Sequence, residues 1–284
     1  MTGELAGPDF NGGIGTANLG LALELTTAGH AVQILYTRVA SGVPHPSAAV
    51  FTQNVDQLAL SGLTLQALDF TGPWHDWLGK SHAVLSWLSD QQFDAVFFND
   101  THGAGFASLL AKKTGHRSLR ATNMIVVAHS ATQWIFDINQ QPVANMAALE
   151  QIELERRSLE LAETVISPSA YLLETYHSYG WALPEESFVH PNILPFSTLP
   201  ASRQTPLNGP PEELVFFGRL ETRKGLWLFC NALDRLKNRL IDTRVTFLGK
   251  SVPEDGEPSV LALLERAKSW PFEIRLLTDY DSPT

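Results

Sequence analysis

Residues 216–226 read FFGRLETRKGL, and they join the end of an apolar run to the start of a helical pattern. The strand pattern closes at Phe217, Gly218 contributes backbone without side-chain bulk, Arg219 leaves the strand end, and Lys224 stands where the next helix is expected. In an open α/β sheet, ligands bind outside the carboxyl ends of the strands, which is where such a turn must lie. Arginine supplies a bidentate fork and lysine a point charge, and beside a helix N-terminus the two form an anion clamp. The competing reading is a solvated turn in which Glu221 and Arg223 pair with their neighbours.

Working outward from this turn, strands are expected at 214–217, 244–248 and 273–277, with helices at 224–240 and 258–268. Upstream, residues 195–211 (PFSTLPASRQTPLNGPP) hold five prolines and no periodicity, as an extended connection between domains does. Before it the same alternation occurs, with strands at 31–36, 65–70, 94–98, 124–128, 164–167 and 188–190 and helices at 16–28, 106–114 and 144–162. The charged run 150–163 (EQIELERRSLELAE) is read as the solvated face of a helix supported by i,i+4 pairs. ISPSAYLLETY reads as a strand end followed by a helix start. Apolar strands separated by helices indicate parallel sheets covered on both faces. The expected division is an N-terminal domain over 1–194, a proline-rich linker over 195–212, and the first part of a second domain over 213–284. The second unit has too few strands for a whole doubly wound domain.

Composition narrows the function classes. The chain has 284 residues, 44% hydrophobic and 18% charged, as a globular protein does. Its net charge of −10 disfavours nucleic acid or an anionic membrane as partner over most of the surface, so an anion needs a local pocket. The single cysteine, Cys230, excludes an intramolecular disulfide and fits a reducing, cytoplasmic setting. No apolar run approaches the roughly 20 residues of a membrane span.

Further stretches carry candidate chemistry. NGGIGT, residues 11–16, sets Gly12 and Gly13 just before a helix, where the backbone can approach a ligand or simply turn tightly. It fails the dinucleotide fingerprint, because Asn18 stands where Gly or Ala is needed, and no Gly-Lys-Ser/Thr follows to make a P-loop. His129 follows the strand MIVVA, while Asp100 and His102 follow the strand DAVFF, so both histidines occupy strand ends. Neither has metal-ligand spacing to another His or Cys, and no metal is expected. The pair in DYD, 279–281, is read as a chance match to a metal-binding Asp-x-Asp. GPWHDWLG, 72–79, places two tryptophans that could stack on a sugar ring or pack in the interior.

Five of these stretches in register resemble retaining GT-B glycosyltransferases of family 4, which use nucleotide sugars. They are GPDFNGGIGTANLGLALELTTAGHAV, VVAHS, AETVISPSAYLLETY, VHPN and VFFGRLETRKGL. The resemblance implies two facing Rossmann-like domains, with the acceptor bound mainly by the first and the donor mainly by the second. It implies that Arg219, Lys224 and Gly218 hold the donor diphosphate and that Gly12 and Gly13 line the cleft. It places His129 against the transferred sugar and Asp100 and His102 on the acceptor side. No cofactor or metal is implied beyond the nucleotide-sugar substrate, and the partner is a glycan or small-molecule acceptor. Two departures stand out: the first strand is reduced to residues 1–4 at most, and the glutamates that relatives carry later in the second domain have no counterpart. The sequence is therefore expected to be a fragment of an active enzyme. The alternatives are a non-catalytic glycan- or partner-binding module and a sugar-nucleotide epimerase or glycogen-synthase-like enzyme of the same fold.

Overall fold

The computed structural model describes residues 1–3, 5, 13–37, 55–68, 77–194, 211–254 and 257–278. Gly12, Trp74, most of the proline-rich linker and the DYD stretch lie outside the described residues. The chain divides into two compact units, Met1–Phe136 with Pro142–Thr198, and Asp137–Gln141 with Leu199–Thr284. Among the described residues no helix is long and apolar enough to cross a membrane.

The first unit is built on parallel strands. β1 (Val32–Tyr36) pairs with β2 (Leu63–Ala67), and β3 (Ala95–Asn99), β4 (Asn123–Val127), β5 (Thr164–Ser167) and β6 (Ser187–Val189) follow one another in a second parallel sheet. Residues 1–3 lie between the two groups. Thr2 bridges Tyr36 in parallel, its N–H donating to Leu35 O at 3.0 Å, while the Met1 amino group donates to Phe97 O at 2.5 Å. Among the described residues the expected first strand appears as this bridge, which with the Met1 contact joins β1 to β3. β2 sits two residues earlier than its expected start, since Leu63 and Leu65 are the positions it buries.

Helices cover these strands: α1 (Gly13–Thr27), α2 (Trp77–Ser89), α3 (Phe106–Lys113), α4 (Thr132–Ile138), α5 (Met146–Leu161) and α6 (Ala170–Ser178). Sequence periodicity does not reveal α2 or α4; α2 opens inside the stretch read as a tryptophan loop. The N-cap side chains of Asn145 and Ser169 accept from Ala148 N–H and Leu172 N–H and start α5 and α6. Val96, Phe98, Met124, Val126, Val165 and Leu159 form the buried centre. The N–H and C=O groups of the parallel strands pair with one another, so these apolar side chains desolvate without orphaned backbone.

The second unit holds β7 (Glu213–Phe217), β8 (Arg244–Leu248) and β9 (Ile274–Leu277), all parallel, with β8 central. Helix α7 (Leu226–Leu236) connects β7 to β8 and α8 (Ser259–Ala267) connects β8 to β9. Phe216, Phe247, Trp270 and the half-buried Phe229 pack ring against ring beneath them. The expected helix at 224–240 starts later, at Leu226, because Thr222–Lys224 forms a 3-10 turn and Gly225 enters the left-handed region at φ 81°.

Two glycines of α1 separate close approach from mere permissiveness. A Cβ on Gly20 would stand 2.1 Å from Ile193 O, whereas a Cβ on Gly13 meets nothing within 4 Å. Gly20→Ala should cost about 1–3 kcal/mol by forcing backbone apart, and Gly13→Ala should be neutral or gain up to about 1 kcal/mol from helix propensity. Urea unfolding of the two variants checks the contrast, and equal stabilities would contradict it.

Candidate active site

The carboxyl ends of β3 and β4 converge on a set of buried hydrogen-bond acceptors. Asp100, fully buried, receives the backbone N–H of His129 on Oδ1 at 3.0 Å and the Tyr176 hydroxyl on Oδ2 at 2.8 Å. The N–H groups of Thr101 and Ser130 also reach it. The Tyr176 oxygen in turn accepts from Ala131 N–H at 3.0 Å. Glu155, on α5, accepts from His102 N–H at 2.8 Å, Thr132 N–H at 2.6 Å and the Thr132 hydroxyl at 2.9 Å. Gln151 adds a fourth bond to Glu155, at 3.0 Å.

Glu155 corrects the reading of 150–163 as wholly solvated. It is fully buried beside Leu154, Ser158 and Leu159; Arg156 makes an exposed ion pair with Glu153, and Arg157 a half-buried one with Glu160, both at i,i+3 spacing.

His129 lies where the sequence places it, at the end of β4. Its Nε2 is 3.2 Å from Asn99 Oδ1. Asn99 Nδ2 donates to Thr2 Oγ1 at 3.1 Å, which orients the amide so that its oxygen faces the ring and Nε2 carries the proton. Burial pushes the imidazole pKa down to about 4, so His129 is neutral near pH 7. Burial also raises the Asp100 carboxyl to about 6 and that of Glu155 to about 7, against the donors that favour ionisation.

His102 sits in a 3-10 turn at φ 65°, ψ 4°, with its ring stacked on Trp77 at 4.5 Å and 4°. The structure therefore brings His129, Asp100 and His102 together at adjacent strand ends. Asn99, Glu155 and Tyr176 complete this site without having been singled out in the sequence, and of the two tryptophans in 72–79 Trp77 packs against His102; for Glu155 the signal is its place between Leu154 and Leu159 on the apolar face of α5. Gly13 is the first residue of α1 rather than part of a loop before it, because the helix begins three residues ahead of the expected Thr16.

In the second unit, the turn after β7 is organised by Glu221, which is 3% exposed. Its Oε1 lies 2.6 Å from the Arg223 guanidinium and 3.4 Å from Arg219 Nε. Glu221 and Arg223 pair as the competing reading has it, but both are nearly buried, so the turn is not a solvated one; Arg219 is about half exposed and Lys224 exposed. The Lys224 ammonium pKa is lowered, first by burial and then by the charges of Arg223 and Arg219. Gly218 adopts φ 151° and Gly249 φ 152°, and a Cβ on Gly249 would fall 1.9 Å from Gly218 O. That contact sets the exit of Arg219 from the sheet. Among the described residues no group of three His, Cys, Asp or Glu side chains could hold a metal ion.

Residues 12–192 match a family model described as a glycosyl transferase 4-like domain. Among solved structures, the catalytic domain of starch synthase IV from Arabidopsis thaliana, bound to ADP and acarbose, matches with a TM-score of 0.56 at 16% identity, over 98% of this chain and 73% of that one. Apo UGT2 from Phytolacca americana matches with a TM-score of 0.50 at 13% identity, over 94% and 70%. These likenesses are of fold, and the fold is the expected GT-B-like α/β class. No curated protein sequence matches the chain.

Glu155 offers a pH test. Its folded pKa of about 7 lies above the ordinary glutamate value near 4.3, so between those limits the folded state holds a proton that the unfolded state releases. The resulting stability is complete below about pH 4 and is lost as pH rises through 7. Relative to Glu155→Gln, the unaltered protein should lose on the order of 3 kcal/mol between pH 4 and 8. Urea unfolding across that range reads the difference, and a pH-independent difference would refute it.

Proposed function

The chain belongs to the glycosyl transferase 4-like family, and from that premise we propose that it moves a sugar from a nucleoside-diphosphate donor to an acceptor with retention of configuration. The observation that carries this reading is the surplus of positive charge after β7. Three cations, Arg219, Arg223 and Lys224, stand around one buried carboxylate, and after burial the charges of Arg223 and Arg219 further lower the Lys224 pKa. Glu221 neutralises chiefly Arg223, whose contact is the shorter, and Arg219 and Lys224 remain for an anion. A diphosphate supplies the missing negative charge, and charge grows on it as the sugar departs. Preorganised cations stabilise that developing charge. The starch synthase relative was solved with ADP, a nucleoside diphosphate, which supports the choice of leaving group.

The remaining roles follow from the first unit. His129, neutral and held by Asn99, meets the transferred sugar as a hydrogen-bonding group rather than as a cation. Asp100 holds the His129 backbone in place, and His102 belongs to the acceptor side. Gly12, Gly13 and Gly218 allow the substrate close to backbone. No metal takes part, because arginine and lysine meet the diphosphate. The protein works in the cytoplasm, where the buried Cys230 stays a thiol.

Arg219→Ala and Lys224→Ala should each lower kcat by about 10²-fold or more while leaving the melting temperature nearly unchanged, since both side chains reach solvent. Release of nucleoside diphosphate, followed with candidate acceptors, measures this, and NMR of the product reads its anomeric configuration. EDTA should leave the rate unaltered. Undiminished turnover in both variants would overturn the assignment, and consumption of sugar nucleotide without acceptor would indicate an epimerase instead.

A further inference from the structure

His102 is held in a conformation that L side chains rarely adopt. Its φ of 65° lies in the left-handed region, which costs a non-glycine residue about 1 kcal/mol or more unless its surroundings fix it. The next residue, Gly103, is left-handed as well, and a Cβ there would stand 2.4 Å from the Leu154 Cβ. The turn is therefore pressed onto α5 at Leu154, and at the adjacent position Glu155 captures the His102 N–H at 2.8 Å. The same carboxylate takes the Thr132 N–H from the loop after β4, so one side chain ties both strand-end loops together.

The strained backbone has a visible result. It lays the His102 imidazole flat on Trp77, with ring centroids 4.5 Å apart, and Lys80 Nζ stands 5.5 Å from the Trp77 ring. His102 and Lys80, with Thr37, Asn99 and Thr101, line a small cavity of mixed polar and apolar character in the first unit, to which Met1, Thr2 and Gly3 also contribute. A relaxed turn would carry the imidazole off Trp77 and take away one wall of this pocket.

We infer that Glu155 is a positioning residue for the acceptor: it holds His102 in its left-handed turn so that the imidazole, braced on Trp77, is presented to the acceptor at the ends of β3 and β4. The inference rests on the glycosyl-transfer reading above. A purely structural Glu155 would affect stability alone; a positioning Glu155 acts on acceptor binding through His102.

Three variants test it in the full chain. Glu155→Gln removes the charge, Glu155→Asp keeps the charge but withdraws it from His102, and His102→Gly removes the imidazole while suiting the backbone. In the unaltered protein the His102 Hε1 proton, identified by its disappearance in His102→Gly, should resonate upfield because it lies over the indole. That shift should be lost in Glu155→Gln and reduced in Glu155→Asp. Acceptor KM should rise by about tenfold in both Glu155→Gln and His102→Gly, with kcat and donor KM within about twofold. The double variant should be no worse than His102→Gly alone, since both changes remove one device.

A retained upfield shift in Glu155→Gln, an unchanged acceptor KM in His102→Gly, or additive effects in the double variant would each overturn the inference. If Glu155→Gln does not fold, Glu155→Asp and His102→Gly carry the same comparison. Should the unaltered protein transfer no sugar, the enzymatic reading fails and the acceptor role fails with it; the NMR shift would still decide whether Glu155 holds His102.

Discussion

A parallel strand that ends in a loop leaves backbone N–H groups with no sheet partner, and buried ones cost about 1–3 kcal/mol each if left unmet. At the ends of β3 and β4 this demand is answered by three side chains. Asp100 takes the N–H groups of Thr101, His129 and Ser130; Tyr176 takes that of Ala131; Glu155 takes those of His102 and Thr132. The backbone of both strand-end loops is held by these acceptors, while Asn99 orients the His129 ring. The backbone of His129, the strained turn of His102 and the start of α4 all depend on them.

The same arrangement sets the electrostatics. Acceptors that serve buried N–H groups must themselves be buried, and burial raises Asp100 to about 6 and Glu155 to about 7 while it lowers His129 to about 4. Hydrogen bonds from backbone and Tyr176 pull the carboxylates back toward ionisation without overcoming desolvation. The histidine nearest the centre is consequently neutral, and the ionisable groups beneath it serve the loops rather than a substrate.

Legibility in the sequence follows from the same distinction. Residues fixed by strand ends, such as His129, His102, Arg219 and Lys224, could be placed because an apolar run announces where a parallel strand stops. The strands over 164–167 and 244–248 emerge with their expected bounds for that reason. Glu155 and Tyr176 reach the site from helix faces, and tertiary contact rather than local pattern recruits them. Glu155 is hidden further by its charged neighbours, which are solvated as read. Trp77 stands at the start of a helix with no periodic signature, and its partner His102 is 25 positions away in a turn whose φ no composition reveals.

The turn after β7 solves a related problem with the opposite charge. There a buried carboxylate, Glu221, meets guanidinium groups as well as forming part of the turn, and its backbone oxygen also accepts from Lys224 N–H at 3.0 Å. Because one carboxylate faces three cations, the loop cannot be neutral by itself, whereas the first unit's loops are satisfied by acceptors whose raised pKa values limit their charge. The contrast is why a direct chemical role is proposed for the cations of the second unit and a scaffolding role for the carboxylates of the first. A carboxylate whose lone pairs are occupied by four donors, as those of Glu155 are, has little capacity left for a ligand; what it can govern is the place of the groups it holds.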